Sequence, residues 1–212
     1  FRISVSFHHQ GTQRLLYRAG WDVDGVRDEH IRFAIEHTGA PQGTFIVDET
    51  GFLKSGSGSA GVQRQYTGTA GKITNCQVGV FLGYTSGKGS ILIDRRLYMP
   101  ECWCENQERR KRAQIPDELL FSTKPQMGLE MLTHAVHRMK VPGKWVVGDE
   151  VYGDSGDFRQ GVADLGLLFV VAVRVHTHVG KMTYPGLGRP AFSFWPEDKT
   201  WTVGDIAKQL PV

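Results

Sequence analysis

Short apolar runs separated by polar turns predict the strands of a mixed sheet along this chain. Strands are predicted at residues 44–47, 62–66, 77–84, 91–98, 144–148 and 167–175. The pair at 77–84 and 91–98 flanks a Ser-Gly-Lys-Gly turn, which is typical of an antiparallel hairpin. Strands separated by helices follow this hairpin, and the order predicts an α/β fold with a mixed sheet and helices packed on its faces.

Apolar residues at helical spacing predict the helices that cover this sheet. They are expected at residues 12–38, at 124–140 and in a short segment around 158–165. The first helix should bury a stripe formed by Val23, Val26, Ile31 and Ala34. The second should bury Leu132, Ala135, Val136 and Met139. The charged segment 100–116 is expected to be irregular.

These elements predict three regions along the chain. Residues 1–40 form an N-terminal helical segment that ends at a Gly-Ala-Pro sequence. Residues 41–179 form the core with the sheet. Residues 180–212 hold four prolines and several glycines, and are expected to be the start of an insertion or a linker.

Composition narrows the class of protein without defining it. The chain has 212 residues, of which 40% are hydrophobic, so it is long enough for a sizeable core. It lacks the run of about 18 apolar residues that a membrane-spanning helix needs. Three cysteines argue against a disulfide framework and suit a reducing compartment. The net charge of +3 permits a nucleic-acid partner without requiring one.

Two aspartates at predicted strand ends are the strongest candidates for chemistry. Asp48 follows the apolar run 45–47, and Asp149 follows the run 145–148. Neighbouring strands would bring both carboxylates to one edge of the sheet, where their mutual repulsion favours a bound cation. Oxygen ligands without Cys or His select Mg²⁺ or Mn²⁺, which serve phosphoryl transfer. The alternative is that both are ordinary turn aspartates that cap loops.

The acidic residues beside these aspartates leave two interpretations open. Glu49, Glu150 and Asp154 could support the two aspartates, or they could be loop charges. We favour the loop interpretation for Asp154.

Basic residues provide a candidate surface for DNA phosphates. The run 109–112 carries four positive charges and could form a stripe with other basic side chains, including Lys124. The candidate DNA-binding residues are Arg64, Lys72, Arg95, Arg96, Arg109, Arg110, Lys111 and Arg112. The alternative is a solvated charged face, because Glu105 and Glu108 offset part of the charge.

Several motifs, in order and at consistent spacing, resemble a family of bacterial insertion-sequence transposases in the DDE superfamily of endonucleases. The resemblance extends over residues 12–178. Its motifs are 47–54 (V-D-E-T-G-F-L-K), 61–66 (G-V-Q-R-Q-Y), 68–72 (G-T-A-G-K), 75–80 (N-C-Q-V-G-V), 92–95 (L-I-D-R) and 149–153 (D-E-V-Y-G).

This resemblance implies a ribonuclease-H-like core, incomplete at its C-terminal end, in which Asp48 and Asp149 are catalytic and bind Mg²⁺ or Mn²⁺. It also implies a third acidic residue, a glutamate on a later helix, which the sequence does not place; Glu197 lies in a turn-like setting. The implied partner is double-stranded DNA, with a possible homodimer in the DNA complex. The implied location is the bacterial cytoplasm, at the nucleoid. The segment is expected to be truncated at both ends.

The resemblance therefore predicts metal-dependent DNA strand cleavage and transfer during transposition of an insertion sequence. With only two carboxylates placed, the chain itself is expected to bind metal weakly and to bind DNA without cutting it. One alternative is a catalytically inactive DNA-binding remnant. Another is a metal-dependent nuclease or phosphatase unrelated to transposition, which need not share the motifs outside the acidic residues.

Overall fold

The computed structural model describes residues 20–179 and 201–208. Its strands are β1 Thr44–Leu53, β2 Gln63–Thr67, β3 Lys72–Ser86, β4 Gly89–Leu97, β5 Trp145–Gly148, β6 Leu168–Val171, β7 His178–Val179 and β8 Trp201–Thr202. Its α-helices are α1 Val23–Thr38, α2 Glu101–Cys104, α3 Gln107–Arg112, α4 Lys124–Thr133, α5 Glu150–Gly153, α6 Gly156–Asp164 and α7 Val203–Ala207. A π-helical turn, His134–Arg138, continues α4.

The strands form the predicted mixed sheet. Its order is β2-β3-β1-β5-β6, and β4 pairs with β3. β3 runs antiparallel to β1, β2 and β4, whereas β5 runs parallel to β1 and β6. The predicted hairpin is β3–β4. A separate small sheet joins β7 to β8. A mixed sheet flanked by helices agrees with the ribonuclease-H-like architecture.

The main core lies between one face of the sheet and the helices α1, α4 and α6. Alternate residues of β1 and β3 enter this core, and Ile31, Met131 and Phe158 meet them from the three helices. Thr123 caps α4 through a reciprocal capping box with Gln126, which defines where this helix begins. Positions on the opposite face remain exposed among the described residues; Ile46, Val147 and Val170 are examples. Among the described residues, the helices α1, α4 and α6 therefore pack on one face of the sheet.

β1 and β3 are longer than the sequence pattern predicts. The antiparallel pairing of β1 with β3 continues from Thr44 to Leu53, so Asp48 lies within β1 and not at its end. The parallel pairing of β1 with β5, in contrast, stops at Val47 opposite Gly148. The predicted strand end at Asp48 is therefore wrong for β1 as a whole, but correct for its contact with β5. β6, in contrast, is shorter than predicted, because it ends at Val171 and not at residue 175.

Among the described residues, the first helix begins at Val23 and buries a different stripe from the predicted one. Residues 20–22 are not helical, and the part of the prediction at 12–19 lies outside the described residues. Val23 and Val26 are about half exposed, whereas Arg27 is buried with Ile31 and Ala34. Arg27 tolerates burial because its guanidinium pairs with Asp24 and Asp28.

The charged segment 100–116 is ordered into α2 and α3, so the expectation of an irregular segment is wrong. Asn106 caps α3 by accepting a hydrogen bond from the Arg109 N–H. Trp103 is buried in a second, smaller core with Val62 and Met99. Its indole N–H donates to the Val62 carbonyl at 2.8 Å. A buried tryptophan thus anchors this polar segment to the fold, and the charge pattern of the segment does not predict it.

No helix among the described residues is long and apolar enough to span a membrane. The predicted insertion at 180–212 falls mostly outside the described residues, and the proposed division into three regions remains a prediction.

Candidate active site

Sheet register brings Asp48 and Asp149 together. The last parallel pair between β1 and β5 is Val47 with Gly148, so each aspartate is the next residue along its strand. Parallel strands run side by side about 4.8 Å apart, and the two carboxylates therefore emerge at the same place. One carboxylate oxygen from each of Asp48, Glu49 and Asp149 lies within 4.8 Å of the other two.

Glu49 is the site residue that sequence reasoning missed. The sequence pattern ended β1 at Asp48, which made Glu49 a loop residue that could equally be a loop charge. In the structure β1 continues, and Glu49 is half-buried on the side of the strand that faces α4 and α5. The apolar pattern contains no signal for this position. Its only signal was the match of residues 47–54 to the family motif.

Two donors hold the Glu49 carboxylate in place. The Lys124 ammonium, at the first residue of α4, donates to Oε1 at 2.5 Å. The Tyr152 hydroxyl, from α5, donates to Oε2 at 3.1 Å. Tyr152 is fully buried, packed against Phe158. Burial and the nearby Glu49 carboxylate raise the pKa of Tyr152 far above its usual range, so its hydroxyl remains a donor.

Asp149 has both a structural and an electrostatic role. Its Oδ1 accepts the Val151 N–H at 3.0 Å and thereby caps α5. Burial raises the pKa of Asp149, the Val151 N–H opposes this shift, and the carboxylates of Glu49, Glu150 and Asp48 add to it. Burial is thus the main cause of the raised pKa of Asp149, and the neighbouring carboxylates add a smaller contribution that a bound cation would relieve.

The donor set fits a hard divalent cation. The residues in the cluster offer carboxylate oxygens alone, which suits Mg²⁺ or Mn²⁺. Glu150 is exposed beside the cluster. Asp154 turns away and pairs with Arg174 at 2.7 Å, in agreement with its interpretation as a loop charge.

The basic run 109–112 divides into two buried or packed side chains and two exposed ones. Arg110 is buried, and its guanidinium donates to the carbonyl oxygens of four residues, Cys104, Pro116, Asp117 and Leu119. Arg109 stacks on the Trp103 ring at 3.7 Å. Lys111 and Arg112 are exposed. We therefore leave Arg110 out of the proposed DNA contacts.

The other candidate DNA-binding residues do not form one stripe. Arg64 and Lys72 are exposed on or beside the edge strand β2. Arg95 and Arg96 are consecutive on β4, so their side chains point to opposite faces of the sheet. Arg95 also pairs with the buried Asp94 at 3.3 Å. Any DNA contact by these residues must therefore involve more than one surface.

A mixed sheet that brings two aspartates together at the end of a shared parallel pairing is an arrangement also suited to metal-dependent chemistry on phosphodiesters. The chain belongs to the DDE superfamily endonucleases, whose sequence model matches residues 2–203. It is similar to the "Probable transposase for insertion sequence element IS701" of Microchaete diplosiphon, with 30% identity over 178 residues. This match covers 81% of the chain and 42% of that relative, so the chain spans less than half of the relative's length. No solved structure matches the chain significantly.

Proposed function

We propose that this chain is the catalytic part of an insertion-sequence transposase, which cleaves and transfers DNA strands with the help of a divalent cation. The observation that carries the proposal is the meeting of Asp48 and Asp149 in a member of the DDE superfamily endonucleases. The relative's name, a probable transposase, supports transposition as the setting.

Each residue of the site has a distinct part in this proposal. Asp48 and Asp149 would hold Mg²⁺ or Mn²⁺, which supplies Lewis-acid stabilisation of the phosphodiester and lowers the pKa of a bound water. Asp48 is exposed on β1, which leaves its carboxylate accessible to a substrate. Asp149 is fixed by its capping bond, and Glu49 is fixed by Lys124 and Tyr152. This rigidity preserves the geometry that in-line attack by water, and then by a 3′-hydroxyl, requires.

The proposed partner is double-stranded DNA. Two copies of the chain would bind it together as a homodimer, at the nucleoid. Exposed basic residues, including Lys111 and Arg112, would neutralise backbone phosphates without reading sequence. The glutamate on a later helix that the family resemblance implies is absent from residues 201–208, and Glu197 lies outside the described residues.

A DNA-binding remnant without catalysis is the competing function. This alternative rests on the two carboxylates that the sequence places, because a site with only two predicts DNA binding without DNA cleavage. Glu49 now brings a third carboxylate within 4.8 Å of the other two, and this observation favours the enzyme. We therefore revise the expectation and propose slow cleavage by the chain itself.

Nicking of supercoiled plasmid in Mn²⁺ tests this proposal. We expect slow conversion to the open circle by the wild-type chain and its loss in both Asp48→Asn and Asp149→Asn, because each substitution removes a cation ligand. Agarose gels with and without a chelator provide the measurement. Binding without nicking would favour the remnant, whereas nicking that persists in both variants would exclude these aspartates from the reaction.

The salt dependence of DNA binding tests the basic surface. In the double variant Lys111→Ala/Arg112→Ala, the slope of log K against log[salt] should become shallower by about 1.8, since each phosphate contact contributes about 0.9. Arg110→Met should instead lower the free energy of unfolding by about 2 kcal/mol, because it leaves buried carbonyl oxygens unpaired, and it should leave the slope unchanged. Fluorescence anisotropy over a range of salt gives the slopes. An unaltered slope in the double variant would remove both residues from the interface.

A further inference from the structure

Lys124 is the cation that the structure itself supplies to the acidic cluster. Its ammonium lies 2.5 Å from Glu49 Oε1, and the Glu49 carboxylate belongs to the group of three within 4.8 Å. Both side chains of the pair are largely withdrawn from water, with 22% of Lys124 and 18% of Glu49 exposed. Partial burial makes this interaction stronger than that of an exposed surface pair.

The position of Lys124 on the backbone is rigid. It is the first residue of α4, directly after Thr123, whose capping box with Gln126 defines the helix start. Its ammonium also lies 5.8 Å from the Tyr98 ring centroid, within the range of a cation–π contact. The Lys124 ammonium is therefore held in position by the capped start of α4, unlike that of a flexible surface lysine.

We propose that Lys124 is a built-in counter-ion, which stabilises the three carboxylates before a divalent cation binds and then opposes that cation. The inference rests on the proposed function, because it concerns the same metal site. Three carboxylates and one ammonium carry a formal charge of −2, which one divalent cation balances. Lys124 thus sets the affinity of the site low enough for the cation to exchange.

The sign of the effect follows from the two anchors of Glu49. When the charge of Lys124 is removed, the Tyr152 hydroxyl still holds Glu49 Oε2, so the carboxylate remains beside Asp48 and Asp149. The site then has one more uncompensated negative charge and the same oxygens. Coulomb attraction in this half-exposed site predicts a gain in cation affinity of about three- to tenfold.

Titration of the 212-residue chain with MnCl₂, followed by electron paramagnetic resonance of free Mn²⁺, tests the inference. Lys124→Gln removes the charge but keeps an N–H donor for Glu49, and Lys124→Met removes both. We expect both to bind Mn²⁺ about three- to tenfold more tightly. Both should also unfold at a lower temperature than wild type without Mn²⁺, and show a larger rise in unfolding temperature when Mn²⁺ is added. Lys124→Arg should restore wild-type affinity, a rescue that depends on charge.

Lys144→Met is the matched control, because it removes the same charge from an exposed lysine. Lys144 precedes β5, so it lies at the opposite end of that strand from Asp149, roughly 17 Å away at about 3.3 Å per residue. This distance exceeds the Debye length of about 10 Å at 0.1 M salt. The control should therefore bind Mn²⁺ as wild type does.

The outcomes separate this inference from the proposed function. Unchanged or weaker Mn²⁺ binding by a folded Lys124→Gln variant would overturn the counter-ion role alone, provided that Asp48→Asn still reduces binding. Failure of the wild-type chain to bind Mn²⁺, or binding insensitive to Asp48→Asn, would overturn both. Circular dichroism of each variant verifies the fold before titration.

Discussion

Gly153→Ala is expected to destabilise the chain by about 3 kcal/mol, although alanine is the better helix former. A Cβ at Gly153 would lie 1.7 Å from the carbonyl oxygen of Ala172 and 3.2 Å from Val171 Cβ. The obstacle is backbone that cannot swing aside, because the Ala172 N–H donates to the Gly148 carbonyl at 3.1 Å. Relief of the overlap would require α5 to move away from the end of β6.

Gly156→Ala is the matched control for this substitution. Gly156 begins α6, three residues further along, and a Cβ there would meet no atom within 4 Å. Its replacement should be neutral or slightly stabilising, since alanine loses less backbone entropy than glycine. Urea unfolding followed by circular dichroism compares the two variants. Equal midpoints would show that the space at Gly153 is not limiting and that α5 can shift without cost.

Asp149→Asn is expected to lower Mn²⁺ affinity by more than the 10- to 100-fold that loss of a merely supporting contact causes. The substitution removes a charged ligand from the cluster and keeps the shape of the side chain. Asparagine caps helices as well as aspartate does, so the bond to the Val151 N–H should persist and the fold should remain intact. Metal binding and helix capping are thereby separated.

Asp149→Ala provides the comparison, because it removes both the ligand and the cap. It should match Asp149→Asn in metal affinity and, in addition, lose about 1 kcal/mol of stability. Mn²⁺ titration and urea unfolding of the two variants give the two quantities. Retention of Mn²⁺ binding by Asp149→Asn would exclude Asp149 from the metal site, and equal stability of the two variants would show that the cap contributes nothing.

Local pattern predicted most of the strands, and their tertiary pairing changed their lengths. The apolar runs before Asp48 and Asp149 were sufficient to identify β1 and β5, because short runs rich in β-branched and aromatic residues are typical of strands. β1 extends through the polar residues Asp48 and Glu49, since β3 continues to supply backbone hydrogen-bond partners beyond the end of β5. Hydrophobic pattern does not report such a partner.

The basic run 109–112 shows a different limit of sequence reasoning. Charge alone predicted four equivalent side chains on a solvated face or a DNA surface. Helix geometry separates consecutive residues by about 100°, so α3 turns Arg110 inward while Lys111 and Arg112 remain outside. Burial of Arg110 is stable because its guanidinium finds four carbonyl acceptors, one at the end of α2 and three in the turns at 116–119, which the charge pattern could not place.

The sequence by itself identified the family, the order of the main-sheet strands along the chain and the two candidate aspartates. Each of these depends on motifs or on apolar runs that are local in the chain. Tertiary structure alone decided that Glu49 joins them and that Lys124 and Tyr152 hold it. These partners are 75 and 103 residues from Glu49 along the chain. Their meeting depends on the register of β1 with β5 and on the packing of α4 and α5 against β1. Long-range register and packing are properties of the whole sheet, and no short segment of sequence contains them.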